Sequence, residues 1–257
     1  MSIWPRIALL LLIGLVLALW TGRHDFVPAG PGADDPGFGA GSDWDVQWAQ
    51  GDALRSSWER GELPHWDPMP DFGAPLLAHP EAWVAAPSYL VFGGTRDVAS
   101  GLHGLRIVSV IALVLGLGLL CVRLEVPSMV GVATAVGVLA SFEWEQRLYS
   151  GHVMMLGICW WPLAAAAVLE ALKRPTRSGR ILVAGGAGAA IGMASLQGAH
   201  YPTVLAPLVL GLVAWAAVAG ERWVAALVGL FAAGVLIPWG APALSAGVSV
   251  AAGAVLL

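Results

Sequence analysis

Asp43, Asp45, six histidines and the polar run Gln197, His200 and Tyr201 are the side chains best suited to acid and base chemistry in this chain. Carboxylates and imidazoles transfer protons near neutral pH when the fold holds them within reach of a reacting group. Both aspartates also have a structural explanation, because Asp at a helix start is favoured by capping and by the helix dipole. Asp43 is therefore a candidate catalytic carboxylate or a cap, with Asp45 as its competitor. Metal chemistry has less material. No two histidines stand three or four residues apart, and no Asp or Glu stands so from His152 or His200, so a helix-borne zinc site is unsupported.

The elements that must position these residues are legible in outline. Residues 29–41 are rich in Gly and Pro and read as an irregular linker. Ser42-x-x-Asp45 resembles a capping box and opens a helix expected to run from 42 to about 60, with Gly61 ending it. At 100° per residue, Trp44, Trp48, Leu54 and Trp58 share a face, and Asp45, Asp52 and Glu59 form an adjacent stripe. Such a helix is expected to lie along a membrane surface with its tryptophans down. Prolines at 64, 68, 70, 75, 80 and 87 then stiffen the segment that carries His65, Trp66 and His79. That segment suits the wall of a cleft, or a plain cover over a bundle.

Composition places the bundle in a membrane. Of 257 residues, 58% are hydrophobic and 12% charged, with a mean hydropathy of +0.75. These values exclude an ordinary soluble domain. About 20 apolar residues are needed to cross roughly 30 Å of hydrocarbon. The sequence offers about eight candidate spans: 3–20, 102–122, 127–142, 153–172, 181–196, 203–219, 223–239 and 241–257. The fold class expected is an all-α polytopic transmembrane bundle with a large first loop, 21–100, on the outer side. The first run lacks a small-x-small cleavage site at Leu17-Ala18-Leu19-Trp20 and reads as a signal anchor. The last run ends without a flanking Lys or Arg and reads as the end of a fragment or of the N-terminal part of a longer protein.

Charge orients the bundle. Residues 21–100 hold twelve of the seventeen acidic side chains and four of the thirteen Lys and Arg. Lys173, Arg174, Arg177 and Arg180 form a compact basic turn that the positive-inside rule assigns to the cytoplasm, and Arg6, Arg123 and Arg222 follow it there. All six histidines (24, 65, 79, 103, 152 and 200) then fall on the outer side, with Arg147 in the outer turn after the third span. Each alone suits a headgroup boundary, while their gathering on one side points to a shared outer site. Cys121 and Cys159 lie in apolar runs and supply no disulfide framework or thiolate site. The basic turn is too short for nucleic-acid binding, and the sequence shows no inverted repeat of the transporter kind.

Several segments together carry a family likeness. They are Gln47 after an acidic residue, Arg60-Gly61-Glu62-Leu63-Pro64-His65-Trp66-Asp67-Pro68, and Gly73-Ala74-Pro75-Leu76-Leu77-Ala78-His79-Pro80. Ser150-Gly151-His152 with Trp161-Pro162-Leu163, and Leu196-Gln197-Gly198-Ala199-His200-Tyr201-Pro202, complete the set. The pattern resembles the YfhO-like bacterial membrane proteins, which look like C-superfamily (GT-C) glycosyltransferases, over about residues 1–220. Trp66-Asp67-Pro68 departs from the more usual Trp-Asn-Pro, Tyr201-Pro202 stands where Pro-Gln is commoner, and family members are longer.

The resemblance implies an enzyme of the bacterial cytoplasmic membrane that moves a sugar from a polyprenyl-phosphate donor to a cell-envelope acceptor on the outer face. It makes Asp43, or Asp45, the general base. It places Gln47, Trp66, His79, Arg147, His152, Gln197, His200 and Tyr201 around the substrate, with His152, His200 and Arg147 toward the donor phosphate. A divalent cation is the one cofactor it leaves open. The competing expectation is a non-catalytic membrane protein that binds lipid or a membrane partner subunit through its Trp-rich outer loop.

Overall fold

The computed structural model describes residues 4–21, 43–63 and 87–196, which are helical apart from short connections. In chain order these form α1 (Trp4–Thr21), α2 (Trp44–Glu59), α3 (Pro87–Gly93), α4 (Val98–Arg123), α5 (Ser128–Leu139) and α6 (Phe142–Tyr149). A 3₁₀ helix (Val153–Trp160), α7 (Trp161–Lys173) and α8 (Arg177–Leu196) follow. Among the described residues, three stretches are long and apolar enough to cross a membrane: α1, α4, and Met155–Lys173, which joins most of the 3₁₀ helix to α7. The expected third span, 127–142, forms a shorter helix. Its helix stops at Leu139, because Ser141 begins α6 by accepting a hydrogen bond from Trp144 N at 3.2 Å through its hydroxyl. Twelve residues rise only about 18 Å, well short of a hydrocarbon core. The fifth expected span forms α8, and the sixth to eighth lie outside the described residues.

The central helix is α4, against which α1, α3, α5, α7 and the 3₁₀ helix all pack. Close approach is made possible by small residues. A side chain at Gly116 would stand 2.5 Å from Leu163 N, where α7 starts, and one at Gly131 of α5 would stand 2.5 Å from Leu117 O. One core joins Leu10, Leu105, Leu113, Leu117, Trp144, Leu156 and Ala194; a second, at the other end, joins Cys121, Leu124, Val126, Ala165 and Leu169. The outward face of α1, with Leu9, Leu12, Leu15, Val16 and Leu19, is exposed and apolar, as suits a helix facing lipid.

Polar side chains fasten the helix ends. Arg106 is buried within the long apolar run of α4, yet its Nη1 donates to Thr21 O at 2.6 Å and its Nη2 to Ala18 O at 3.2 Å. Those carbonyls belong to the last turn of α1, which lacks intrahelical backbone donors, so the cation satisfies them and the negative end of the helix dipole. At its far end α4 closes in a Schellman motif, with Val126 N donating to Cys121 O at 2.9 Å and Glu125 at φ 62°. There Glu170 of α7 bridges Arg123 (2.9 Å) and Arg174 (2.5 Å), and Lys173 Nζ donates to Arg123 O at 2.8 Å. The basic turn therefore sits at one end of the bundle, stitched to the end of α4. The end of α1, the start of α4, and α2 lie at the opposite end.

Candidate functional site

At that opposite end α2 is docked on protein. The helix begins after Asp43 and ends at a Schellman motif with Gly61 at φ 68°, where Glu62 N donates to Ser57 O at 2.9 Å. Its buried side is Trp44, Gln47, Gln50, Gly51, Leu54 and Ser57, resting on α3 and on the start of α4. Trp44 and Leu54 are fully enclosed, Trp48 is partly buried, and Trp58 is 37% exposed, with its ring 4.7 Å from Tyr89 in an edge-on contact. Three polar side chains thus join the buried side that sequence periodicity assigned to tryptophan and leucine. The reason is tertiary: this is the side of the helix that packs on α3 and on the start of α4.

That polar turn is 150–152. α6 ends with Ser150 as C-cap and Gly151 next to it at φ 85°, a left-handed conformation that glycine adopts without penalty. Gly151 N donates to Leu148 O at 3.0 Å, and Val153 N donates back to Gly151 O at 2.7 Å. His152, at φ −75° and ψ 61°, occupies the centre of an inverse γ-turn and leads into the 3₁₀ helix. Glycine is needed for a second reason: a Cβ at 151 would stand 2.9 Å from Trp44 N and 3.0 Å from Asp43 C.

The start of α2 is pinned across this turn by three contacts. Asp43 N donates to Ser150 O at 2.9 Å, and the Trp44 indole Nε1 donates to Tyr149 O at 2.7 Å. His152 Nε2 stands 3.1 Å from Asp43 Oδ2. The donor-rich start of α2 therefore faces the acceptor-rich end of α6, an alignment that electrostatics favours. Asp43 occupies the N-cap position, yet its carboxylate makes no capping hydrogen bond. The contrast within the same fold is informative. Asp97 caps α4 by accepting from Ser100 N at 2.7 Å and from Ser100 Oγ at 3.0 Å, which holds its carboxyl below the ordinary range. Asp43 instead turns its carboxylate to a histidine from a distant segment. The Asp43 and His152 side chains are 45% and 28% exposed, so the pair is open to a reactant.

Of the residues singled out from sequence, the structure brings Asp43 and His152 together. Gln47 follows one turn along α2 and is buried. Asp45 lies in the first turn of α2 and Arg147 on α6, two residues before Tyr149. Trp66, His79, Gln197, His200 and Tyr201 lie outside the described residues, although α8 ends at Leu196, immediately before Gln197. The two described histidines, His103 near the start of α4 and His152, fall at the same end of the bundle. Among the described residues no group of three or more His, Cys, Asp or Glu could hold a metal ion.

Sequence reasoning missed Arg106 and the docking role of Trp44 and Gly151. A lone Arg in an apolar run is itself a signal, because a charge there must find a partner. Ser-Gly after an aromatic helix end signals a left-handed C-terminus, but its contact with residues more than a hundred positions earlier carries no local mark. The chain matches no protein-family model, no curated protein and no solved structure.

Proposed function

We propose that the chain is a glycosyltransferase-like protein of the bacterial cytoplasmic membrane, or the N-terminal module of one. It takes a sugar from a polyprenyl-phosphate donor and passes it to a cell-envelope acceptor on the outer face. The observation that carries this reading is the Asp43 carboxylate, withheld from its own helix cap and held beside His152 at the end of the bundle opposite the basic turn. The positive-inside rule makes that end extracytoplasmic. There Asp43 serves as the general base. It accepts the proton of the acceptor hydroxyl as that oxygen bonds the anomeric carbon, and the bond from that carbon to the donor phosphate breaks with its electron pair on the departing polyprenyl phosphate. The sequence likeness to the GT-C enzymes supports the same chemistry.

The test is sugar transfer by the reconstituted full chain with polyprenyl-phosphate sugars as donors. Asp43→Asn is expected to lower turnover by about 10² to 10⁴, the usual contribution of a general base. Asp45→Asn is expected to keep most of it. Transfer that survives both substitutions removes the proposed base. A chain that transfers nothing but co-purifies with an envelope protein supports the partner-binding alternative.

A further inference from the structure

We propose that His152 is a positioning residue for Asp43, acting on the reaction through the carboxylate and not by meeting the donor phosphate. The inference rests on Asp43 being the base of the proposed transfer, and it goes further by giving that base its mount.

Four observations carry it. An N-cap carboxylate ordinarily turns back onto its own helix, from an extended backbone. Asp43 stands at φ −88° and ψ 5° and makes no such bond, whereas extended Asp97 and extended Ser141 both do. Its Oδ2 is 3.1 Å from His152 Nε2, within reach of a donated proton. The histidine is itself rigidly placed: Val153 N bonds Gly151 O, Met155 N bonds His152 O at 3.0 Å, and Val153 and Leu156, each 1% exposed, anchor the following helix. Finally, Gly151 lies against the Asp43 and Trp44 backbone, so neither side of the pair can slide past the other.

In this arrangement His152 keeps its Nε2 proton throughout the cycle. That proton orients Oδ2, leaving the other oxygen to receive the acceptor's proton. Pre-orientation of this kind matters because a misplacement of about 1 Å at the reacting group can cost about a hundredfold in rate.

The experiment compares His152→Ala and His152→Gln in the reconstituted full chain, together with a double-mutant cycle against Asp43→Asn read by thermal unfolding. Alanine is expected to lower kcat about a hundredfold while the donor KM stays within about twofold. Glutamine, which keeps an N–H donor, is expected to recover to within about tenfold of the natural protein. A donor KM that rises with kcat preserved assigns His152 to the phosphate and overturns the proposal. A glutamine variant as inactive as alanine overturns it too, since a donor alone then does not suffice. In the cycle, the shift for Asp43→Asn with His152→Ala is expected to fall short of the sum of the single shifts; additive shifts refute the pair. If the natural protein transfers no sugar at all, the glycosyltransferase reading fails and the catalytic role falls with it, while the cycle still reports whether the pair exists.

Discussion

Gly151→Ala tests the docking of α2 directly. At φ 85° an L side chain costs about 1 to 2 kcal/mol. The new Cβ would also stand 2.9 Å from Trp44 N and 3.0 Å from Asp43 C, and backbone atoms cannot swing aside as a flexible side chain does. Relief requires the seam to open, and the bonds across it are Asp43 N to Ser150 O and Trp44 Nε1 to Tyr149 O. Each is worth about 0.5 to 1.5 kcal/mol net, so the local loss is about 2 to 5 kcal/mol in all. The assay is hydrogen exchange of the purified protein, resolved by peptide. Local opening energies set exchange protection, and about 1.4 kcal/mol corresponds to a factor of ten. Amides of α2 are therefore expected to exchange at least about 30-fold faster, while those in the middle of α4 keep their protection. Gly137→Ala on α5, where an added Cβ meets nothing within 4 Å, is the control and is expected to leave α2 unchanged. Unaltered α2 protection in Gly151→Ala refutes the docking argument, and so does an equal acceleration in α4.

Arg106→Ala removes two charged hydrogen bonds to the last turn of α1 and is expected to cost about 3 kcal/mol or more, seen as faster exchange at the end of α1. Gly116→Ala drives a Cβ to 2.5 Å from Leu163 N, and is expected to cost about 1 to 3 kcal/mol in thermal unfolding by separating α4 from α7. Asp97→Ala is expected to cost about 1 kcal/mol through its lost cap. Its carboxyl sits below 3.8 in the fold because the Ser100 backbone N–H binds the charged form. The stabilisation is thus complete above that value and is lost as pH falls below it through the lower folded value; acid unfolding of Asp97→Asn, compared with the natural protein, measures it. Glu170→Gln leaves Arg123 and Arg174 without their shared anion and is expected to lower stability by up to about 1 kcal/mol, less at high salt.

Much of the architecture was legible from composition and periodicity. The first span, the fourth, the long run that became α4, and the helix of α2 with its glycine end all follow from local physics: apolar length, helical periodicity and a left-handed terminus. An apolar run carries no mark where Ser141 starts a new helix, so its length exceeds that of the helix it forms. The basic turn predicted from charge alone also proved to be a structural stitch, since Glu170 and the α4 carbonyl at Arg123 lie beside it only once α4 and α7 pack.

The site divides along the same line. Sequence by itself determined which residues could act: Asp43 at a helix start, and His152 after a Ser-Gly turn. It favoured a cap as the explanation of the aspartate, because a cap is a local feature and the alternative partner stands 109 positions away. Only the tertiary structure decided between the two, by setting α2 against the end of α6, where a glycine without a side chain lets the backbones meet. That contact turns the Asp43 carboxylate away from its helix and onto the imidazole.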